Sequence, residues 1–400
     1  MGEIPELIER YVDELKERGT LKSEAVERAF RRVERHRLLE WFYLEDEEGE
    51  FEYAGERWIK RDFNPQDPDP ELLKLIYSDT ALLTRLDPPS STSQPTLVAQ
   101  MLELLELEPG LNVLEIGAGT GYNAALMQEL VGEEGHVTTI DIQEDVVEQT
   151  RRLLKAAGYG RIEVLAKDGF YGHPQNAPYD RIVATVGCPD ISWAWAEQLA
   201  DDGFMLIPLQ HGGEGFNPLV RIWKEDSNLV GRFVGLSGFM SIRGELEVKQ
   251  RVSFAKQRSF QDGEPTAEYP LFGSLKELPE PREEGRWEEA FAFPLFLTIA
   301  DERAFWFGLL DDEKGAIAIE LKKGRIALWG DESLYRDLNR LYGQWEGLGR
   351  PGFSSWELKF LPRDRDHALE IPEGERVWVI ERKSTREVAK LAGTGLALHH

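Results

Sequence analysis

The sequence contains very little cysteine and no long apolar run. Its 400 residues include a single cysteine, so the chain can build neither a disulfide framework nor a thiolate zinc site. No stretch reaches 18 consecutive apolar residues, and the charged N-terminal segment lacks the apolar region of a signal peptide. These absences predict a cytoplasmic protein without a membrane-spanning segment.

Positive charge is also scarce. The 47 Lys and Arg residues are outnumbered by 73 Asp and Glu residues, which gives a formal net charge of −26. A surface this negative repels phosphate groups, so nucleic acid and anionic membranes are not expected as partners. Neutral or basic polypeptides remain compatible with it. We therefore predict a protein or peptide substrate, and we predict no metal.

The length predicts two or three domains. Residues 1–70 are predicted to form an N-terminal helical segment that ends in a proline-containing linker. Residues 71–255 are predicted to form the main domain. A linker rich in Gly, Pro and Glu is expected at 256–290, followed by a small α+β domain at 291–400 with a first strand at 293–299.

The main domain has an alternating pattern of short apolar strands and helices between residues 110 and 210. Such alternation predicts a parallel sheet with right-handed crossovers, a Rossmann-like α/β fold. Two further strands, at 220–223 and 229–236, are predicted to pair antiparallel. A pair of this kind is typical of the edge of such a sheet.

The strongest local pattern is a strand that runs into a glycine-rich turn and then a helix, at residues 113–122. Small residues allow the backbone to approach a ligand closely, and ligands of such sheets bind at the carboxyl ends of the strands. A dinucleotide-binding turn has two residues between its second and third glycines, whereas only Thr120 separates Gly119 from Gly121. This spacing argues against an enzyme that uses NAD. Such an enzyme is kept as the alternative.

Carboxylates follow or end three successive strands. Glu115 suits the ammonium group of an amino-acid moiety, Asp141 suits two ribose hydroxyls, and Asp168 suits the adenine amino group. Together they describe a nucleoside site without phosphates, which predicts S-adenosylmethionine as the cofactor and a class I methyltransferase fold. The predicted cofactor-binding residues are Glu115, Gly117, Ala118, Gly119, Gly121, Tyr122, Asp141, Ile142, Asp168, Gly169 and Phe170.

Several motifs between residues 20 and 240 resemble the protein-L-isoaspartate O-methyltransferase family. They lie at residues 29–35, 93–95, 168–172, 177–182 and 203–208. The sequence Ser-Thr-Ser-Gln-Pro at 91–95 stands where the family usually has Thr-Ile-Ser-Gln-Pro. Val-Gly-Cys-Pro at 186–189 replaces an alanine-rich loop beside the substrate. The chain is about twice the usual length and resembles a longer bacterial subgroup.

The resemblance implies methylation of the carboxylate of L-isoaspartyl or aspartyl residues in polypeptides, which leads through a succinimide to repair or isomerisation. It implies Ser93 as the catalytic serine, flanked by Thr92 and Gln94. A helix N-cap is the alternative role of Ser93. The longer subgroup adds a second possibility, tailoring of an Asp in a ribosomally made cyclised peptide. A small-molecule methyltransferase and a cofactor-binding module without activity are alternatives of other classes.

Three further residues are weaker candidates. Cys188 lies in the predicted substrate loop but is more typical of an inert buried thiol. His211 is predicted to be a loop residue and not a base. Asp79 either lies over the site, as in the family, or caps a turn.

Overall fold

The computed structural model describes residues 3–53, 55–225, 228–249, 253, 256, 259–260, 263–279, 286–363 and 376–392. By their contacts these residues form two compact units. Unit 1 comprises Met1–Val186, Ala194–Ile207 and Arg243–Glu245, and unit 2 comprises Gly187–Trp193, Pro208–Ile242 and Leu246–His400. The predicted domain boundaries near residues 70, 255 and 290 stay predictions.

Unit 1 begins with the two predicted N-terminal helices, α1 (Glu3–Glu17) and α2 (Glu24–Arg32). A third helix, α3 (Pro70–Ile76), begins at the last residue of the predicted linker and was not predicted. The hydroxyl of Ser23 accepts a hydrogen bond from the Val26 amide at 3.3 Å and so caps α2. The buried face of α2 includes Ala29 and Phe30, which is the side of the helix that the apolar spacing predicts.

An antiparallel sheet that was not predicted is formed by three strands between α2 and α3 and two strands after α3. Its strands are β1 (Trp41–Glu45), β2 (Phe51–Tyr53), β3 (Glu56–Asp62), β4 (Leu82–Leu86) and β5 (Pro89–Thr92). Their spatial order is β2-β3-β1-β4-β5. Most residues of β2 and β3 are exposed and charged, so these strands lack the apolar alternation by which a strand is recognised.

The centre of unit 1 is the predicted parallel sheet. Its strands are β6 (Asn112–Ile116), β7 (His136–Asp141), β8 (Glu163–Ala166), β9 (Tyr179–Ala184) and β10 (Leu199–Pro208). Their order is β8-β7-β6-β9-β10, and the pairs β6–β7, β7–β8, β6–β9 and β9–β10 are parallel. The order reverses between β6 and β9, which is where open α/β sheets bind their ligands.

Four helices accompany this sheet. They are α4 (Pro95–Leu105), α5 (Tyr122–Val131), α6 (Glu144–Ala157) and α7 (Trp193–Gln198). Each of α5 and α6 follows a strand of the sheet, as the alternating pattern predicts. The predicted α/β fold class is confirmed.

Unit 2 contains two antiparallel sheets and two helices. One sheet has the order β11-β12-β18-β20-β19 and the other β13-β17-β16-β15-β14. The strands of the first are β11 (Asn217–Glu225), β12 (Asn228–Ser237), β18 (Trp356–Pro362), β19 (Val377–Glu381) and β20 (Thr385–Leu391). Those of the second are β13 (Ala267–Pro270), β14 (Ala304–Phe305), β15 (Gly308–Asp311), β16 (Gly315–Glu320) and β17 (Arg325–Gly330).

The helices of unit 2 are α8 (Trp287–Ala300) and α9 (Ser333–Gly347). The strand predicted at 293–299 is wrong, because these residues belong to α8, which has Pro294 inside it. Residues Ala290 to Ile299 of this helix are all buried, so they form an apolar run without the one-sided spacing of a surface helix. The antiparallel pairing of β11 with β12 is confirmed. Within the described residues, no helix is both long and apolar enough to cross a bilayer.

Candidate active site

The glycine-rich turn lies between β6 and α5. Gly117 and Gly121 have φ angles of +107° and +80°, in the region that side chains disfavour. A Cβ atom at Gly117 would lie 2.7 Å from Oγ1 of Thr185, so glycine is required there on steric grounds as well. The Gly117 amide donates to the carbonyl of Ile140 at 2.8 Å, which ties the turn to the neighbouring strand.

The segment before α4 runs against this turn. A Cβ atom at Gly119 would lie 3.0 Å from the Ser91 carbonyl oxygen, so β5 passes close to the turn two residues before Ser93. Close approach between these two backbones therefore depends on the glycine. The predicted catalytic segment and the predicted cofactor turn are thus brought together.

Glu115 is fully buried beneath the turn. Its carboxyl group accepts hydrogen bonds from Oγ1 of Thr139 at 2.6 Å and from Nδ2 of Asn123 at 2.7 Å. Burial raises the pKa of Glu115 to about 7, although these two hydrogen bonds oppose the rise. Contact of Glu115 with a ligand ammonium stays a prediction, and the structure gives the carboxyl group a second role in holding α5 and β7.

Asp141 lies at the end of β7, beside the turn. Its carboxylate accepts from the Gly119 amide at 3.3 Å and from the Gln143 amide at 3.1 Å. Burial raises the pKa of Asp141 above its usual range. The next residue, Ile142, is 40% exposed and so offers an apolar surface beside the carboxylate. A polar group next to an exposed apolar side chain suits a ribose joined to a flat base.

Asp168 and Gly169 follow β8. Oδ1 of Asp168 accepts from the Phe170 amide at 2.9 Å, and Oδ2 accepts from the Glu245 amide at 2.7 Å. A Cβ atom at Gly169 would lie 2.5 Å from Cγ2 of Ile116, so glycine is needed for this close packing. Each oxygen of Asp168 retains a lone pair, which leaves the carboxylate able to accept a hydrogen bond from a ligand.

Tyr122 points away from this region. Its side chain is 2% exposed, its hydroxyl lies 3.2 Å from that of Tyr11, and its ring packs edge-on against Phe30 at 6.2 Å. The ring therefore belongs to the core formed with α1 and α2. Tyr122 can meet a ligand at the turn only through its backbone.

Thr92 and Ser93 join β5 to α4. Gln94, and not Ser93, is the N-cap residue of α4, and its side chain makes no capping bond. Thr92 is buried, and its hydroxyl has no hydrogen-bond partner among the described residues. The Ser93 hydroxyl likewise forms no hydrogen bond within the described part of the chain. The capping role considered for Ser93 is therefore not what the structure shows.

The capping role belongs instead to Asp79. Its carboxylate accepts from the Thr96 amide at 2.8 Å, at the second position of α4. It also accepts from Nε2 of Gln94 at 3.0 Å, and a guanidinium nitrogen of Arg18 lies 3.6 Å away. Asp79 thus fixes the start of α4 and the side chain of Gln94, while Ser93 stays uncommitted.

Arg35 is a positioning residue whose role the sequence analysis did not identify. Its side chain is fully buried, and its two terminal nitrogens donate to the carbonyls of Ile76 at 2.7 Å, Thr80 at 2.9 Å and Ser93 at 3.0 Å. One guanidinium group therefore fixes the 76–80 loop and the backbone of Ser93 together. The only sequence signal was its place at the end of the 29–35 motif.

The remaining two candidates lie in unit 2. Cys188 is fully buried, and burial raises the pKa of its thiol, which makes it a poor nucleophile. His211 is also buried, and burial lowers its pKa, so the ring is neutral at pH 7. Its Nε2 accepts from Arg382 at 3.0 Å, so this loop residue is part of a buried polar group.

We call this group the Glu387 cluster, which consists of Glu387, Arg382 and His211. Nε of Arg382 donates to Oε2 of Glu387 at 2.8 Å, and Nη1 of Arg382 donates to the carbonyls of both Pro189, at 2.6 Å, and Gln210, at 3.1 Å. Burial alone would raise the pKa of Glu387, but the Arg382 charge reverses this and lowers it to about 2. The cluster thus fixes the backbone around residues 189 and 210 in unit 2.

No group of three or more His, Cys, Asp and Glu side chains is placed to hold a metal ion in the part of the chain that the structure describes.

Known proteins were compared with the chain in sequence and in structure. The family model described as protein-L-isoaspartate(D-aspartate) O-methyltransferase matches residues 68–243. A protein-L-isoaspartate O-methyltransferase of Thermococcus sibiricus is 37% identical over 239 residues, which are 59% of this chain and 93% of that protein. One from Ignicoccus hospitalis is 41% identical over 160 residues, 40% of this chain and 74% of that protein.

A solved structure of a protein-L-isoaspartate O-methyltransferase resembles the whole fold. It covers 88% of this chain and 96% of its own, with a TM-score of 0.51 and 24% sequence identity, so it supports the fold alone. The family rests on the sequence comparisons, in which most of the Thermococcus protein is matched at 37% identity. The chain therefore belongs to the protein-L-isoaspartate O-methyltransferase family, as its motifs predicted.

Proposed function

We propose that the chain transfers a methyl group from S-adenosylmethionine to the carboxylate of L-isoaspartyl, or aspartyl, residues in polypeptides. Membership of the family makes it a methyltransferase that uses this cofactor. The observation that carries the proposal for this site is the Ser93 hydroxyl. This hydroxyl has no hydrogen-bond partner among the described residues. Arg35 donates to the Ser93 carbonyl, and the strand before Ser93 lies against the glycine turn.

The residues at the turn fit a nucleoside. Gly119 lacks the Cβ atom that would meet the Ser91 carbonyl, and Asp141 and Asp168 both keep acceptor capacity at the ends of their strands. S-adenosylmethionine supplies a methyl group that its sulfonium already activates. We expect Asp141 to bind the ribose, and Asp168 with Ile142 to bind the base.

The acceptor needs little activation. A carboxylate has a pKa near 4 and is already a nucleophile at pH 7, so neither a strong base nor a metal is required. The task of the protein is then to hold the carboxylate oxygen in line with the methyl carbon. The Ser93 hydroxyl would donate a hydrogen bond to the carboxylate, and Arg35 would set the direction of that bond through the Ser93 backbone.

Methoxide is a better leaving group than the oxygen of a free carboxylate. Attack of the following backbone amide nitrogen on the ester carbonyl then expels methanol and closes a succinimide, whose hydrolysis gives repair or isomerisation. The family matches do not favour peptide tailoring, small-molecule methylation or a binding module without activity. We further propose a cytoplasmic location, which the single buried cysteine supports, and no nucleic-acid partner, which the net charge of −26 supports.

Methyl transfer is measured with labelled S-adenosylmethionine and two peptides that differ only in aspartate versus isoaspartate. We expect base-labile methyl groups on the isoaspartyl peptide and few on the aspartyl peptide. Cofactor binding without transfer to either peptide would contradict the proposed substrate class.

The role of Ser93 is measured with Ser93→Ala. We expect kcat to fall by at least about tenfold, since a hydrogen bond to the reacting carboxylate is lost, while the Kd of S-adenosylhomocysteine changes little. Ser78→Ala is the control, because the Ser78 hydroxyl bonds only the Leu75 carbonyl of its own turn. A parallel loss of turnover and cofactor affinity would remove the assignment of Ser93.

A further inference from the structure

A cavity of about 490 Å³ lies within unit 1, between the N-terminal sheet and α6. Its floor is apolar and includes the buried residues Leu38, Leu39 and Leu86. One wall includes Gly119 and Thr120, so the cavity reaches the glycine turn. A group bound in it would therefore lie next to the site of the proposed reaction.

Aromatic side chains also line the cavity. Trp41, Tyr43 and Phe51 all line the cavity, and Phe51 is 40% exposed. The Tyr43 and Phe51 rings pack edge to face with centroids 5.4 Å apart. Nε1 of Trp41 donates to the Thr84 carbonyl at 2.8 Å, which fixes its ring. Nζ of Lys60 already lies 4.5 Å from the Trp41 ring centroid, so Tyr43 and Phe51 are the aromatic side chains left to attract an apolar group or a cation.

The charges that line the cavity do not balance. Its two cations are already paired, Arg85 with Asp145 and Lys60 with Asp62 at 3.0 Å. Asp145 is itself a lining residue, and a second lining carboxylate, that of Glu40, is paired with Arg152 at 2.6 Å.

Two more carboxylates line the cavity, those of Glu52 and Asp87. Both residues are exposed, and neither forms an ion pair with any described residue. The cavity thus presents two uncompensated negative charges beside an aromatic wall.

We propose that this cavity binds a basic side chain, Lys or Arg, of the polypeptide substrate, from a residue near the methyl-accepting one. This inference rests on the proposed function. A cation gains attraction from the aromatic faces and from Glu52 and Asp87, whereas an acidic side chain is repelled. The cavity reaches Gly119, and the Cβ position of Gly119 lies 3.0 Å from the Ser91 carbonyl oxygen, two residues before Ser93, so one short peptide segment would reach both.

The test is a set of fluorescent isoaspartyl peptides that carry one Lys, Gln, Glu or Phe at each of three positions on either side of the isoaspartyl residue. Their Kd is measured by anisotropy with S-adenosylhomocysteine present. We expect Lys to bind about tenfold tighter than Glu at one or more positions, since an attraction replaces a repulsion. The preference should shrink at high salt, because these carboxylates are exposed.

Two variants test whether the residues that line the cavity cause the preference for Lys over Glu. Glu52→Gln combined with Asp87→Asn should reduce it below threefold, and Phe51→Ala should weaken binding of the Lys peptide by about threefold. The control is Glu47→Gln, because Glu47 is an exposed residue of the connection between β1 and β2 and does not line the cavity. It should keep the full preference.

Three results would overturn the inference. They are equal Kd values for Lys and Glu at all six positions, a Lys preference that survives in the double variant, and a peptide with Phe at the same position binding tighter than the Lys peptide. Because Kd is measured without methyl transfer, these results are separate from the proposed function, which fails only if no isoaspartyl peptide is methylated.

Discussion

Two fully buried glutamates, one in each unit, are held in opposite ways. Glu115 lies below the glycine turn of unit 1 and accepts hydrogen bonds from the neutral groups of Thr139 and Asn123. Glu387 lies in unit 2 and is paired with the guanidinium of Arg382. The pKa of Glu115 is raised to about 7, whereas that of Glu387 is lowered to about 2.

The difference shows that the neighbouring side chains, and not the extent of burial, decide whether a buried carboxyl group is charged. Burial raises the pKa of both glutamates. The hydrogen bonds from two neutral donors do not cancel this rise at Glu115, whereas the charge of Arg382 more than cancels it at Glu387. The turn in unit 1 therefore has a partly protonated acid beneath it near neutral pH. The Glu387 cluster contains a fixed ion pair.

The largest expected effect comes from removing the cation in unit 2. Arg382→Met leaves Glu387 buried without its counter-charge, so the free energy of unfolding at pH 7 should fall by about 4 kcal/mol. Guanidinium chloride unfolding measures it. The loss should be smaller at pH 4, because the pKa of Glu387 rises once Arg382 is gone and the carboxyl group is then protonated.

The double variant Arg382→Met, Glu387→Leu is the control for that prediction. It removes both charges together, so most of the lost stability should return. If the double variant is as unstable as the single one, the bonds from Arg382 to the Pro189 and Gln210 carbonyls matter more than the charge, and the comparison fails.

The second prediction concerns Glu115 and pH. Its folded-state pKa is above the ordinary value of 4.5, so the folded state binds more protons than the unfolded state between these two values. The contribution of Glu115 to the free energy of unfolding is fully present below about pH 4.5. It falls by roughly 3 kcal/mol as the pH rises towards 7. The free energy of unfolding of the wild type, minus that of Glu115→Gln, should fall by this amount between pH 4 and pH 8.

Glu148→Gln is the control for Glu115, because Glu148 is exposed on α6 of the same unit. Its difference from the wild type should stay nearly constant over the same pH range. A constant difference for Glu115→Gln as well would mean that Glu115 titrates normally. The Glu387 pair has the opposite window, since its stability is lost only as pH falls from about 4.5 towards 2.

The third prediction concerns Gly117, where the glycine turn leaves no space for a side chain. Gly117→Ala adds a methyl group at a positive φ, 2.7 Å from Oγ1 of Thr185. We therefore expect the free energy of unfolding to fall by about 2 kcal/mol and the affinity for the cofactor to decrease. Gly110→Ala is a matched control, since Gly110 has φ of +93° but nothing within 4 Å of its Cβ position. Calorimetry of S-adenosylhomocysteine binding should show an effect for Gly117→Ala alone.

The smallest effect is expected at Cys188 in unit 2. Cys188→Ala removes one buried sulfur atom and should lower stability by roughly 1 kcal/mol, with kcat unchanged. Methyl transfer to the isoaspartyl peptide measures kcat. A large fall in kcat with normal stability would give Cys188 a role in the reaction that its buried thiol does not suggest.

The parallel sheet and the glycine turn could be predicted because their signals are local. Each strand is a short apolar run, and each glycine lies at a fixed spacing after β6. The 293–299 strand was wrong because a short apolar run does not distinguish a buried helix from a buried strand. The exposed, charged strands β2 and β3 gave no apolar period at all.

Residues that act over long distances in the sequence could not be predicted in the same way. Arg35 meets the Ser93 carbonyl 58 positions away, and Arg382 meets His211 171 positions away. A buried arginine looks like a surface arginine in sequence, because its partners are backbone carbonyls or distant side chains. The motif around Ser93 predicts the site, while the contacts that hold the Ser93 backbone in place became visible only in the fold.

The burial of Cys188 also makes the protein convenient to label. Its thiol is 0% exposed, and it is the only sulfhydryl in the sequence, so alkylating dyes have no native surface group to react with in the folded protein. A cysteine introduced at the exposed position Glu47 would then be the single reactive group for a maleimide fluorophore. A dye there would report on the β1–β2 connection without prior removal of the native residue.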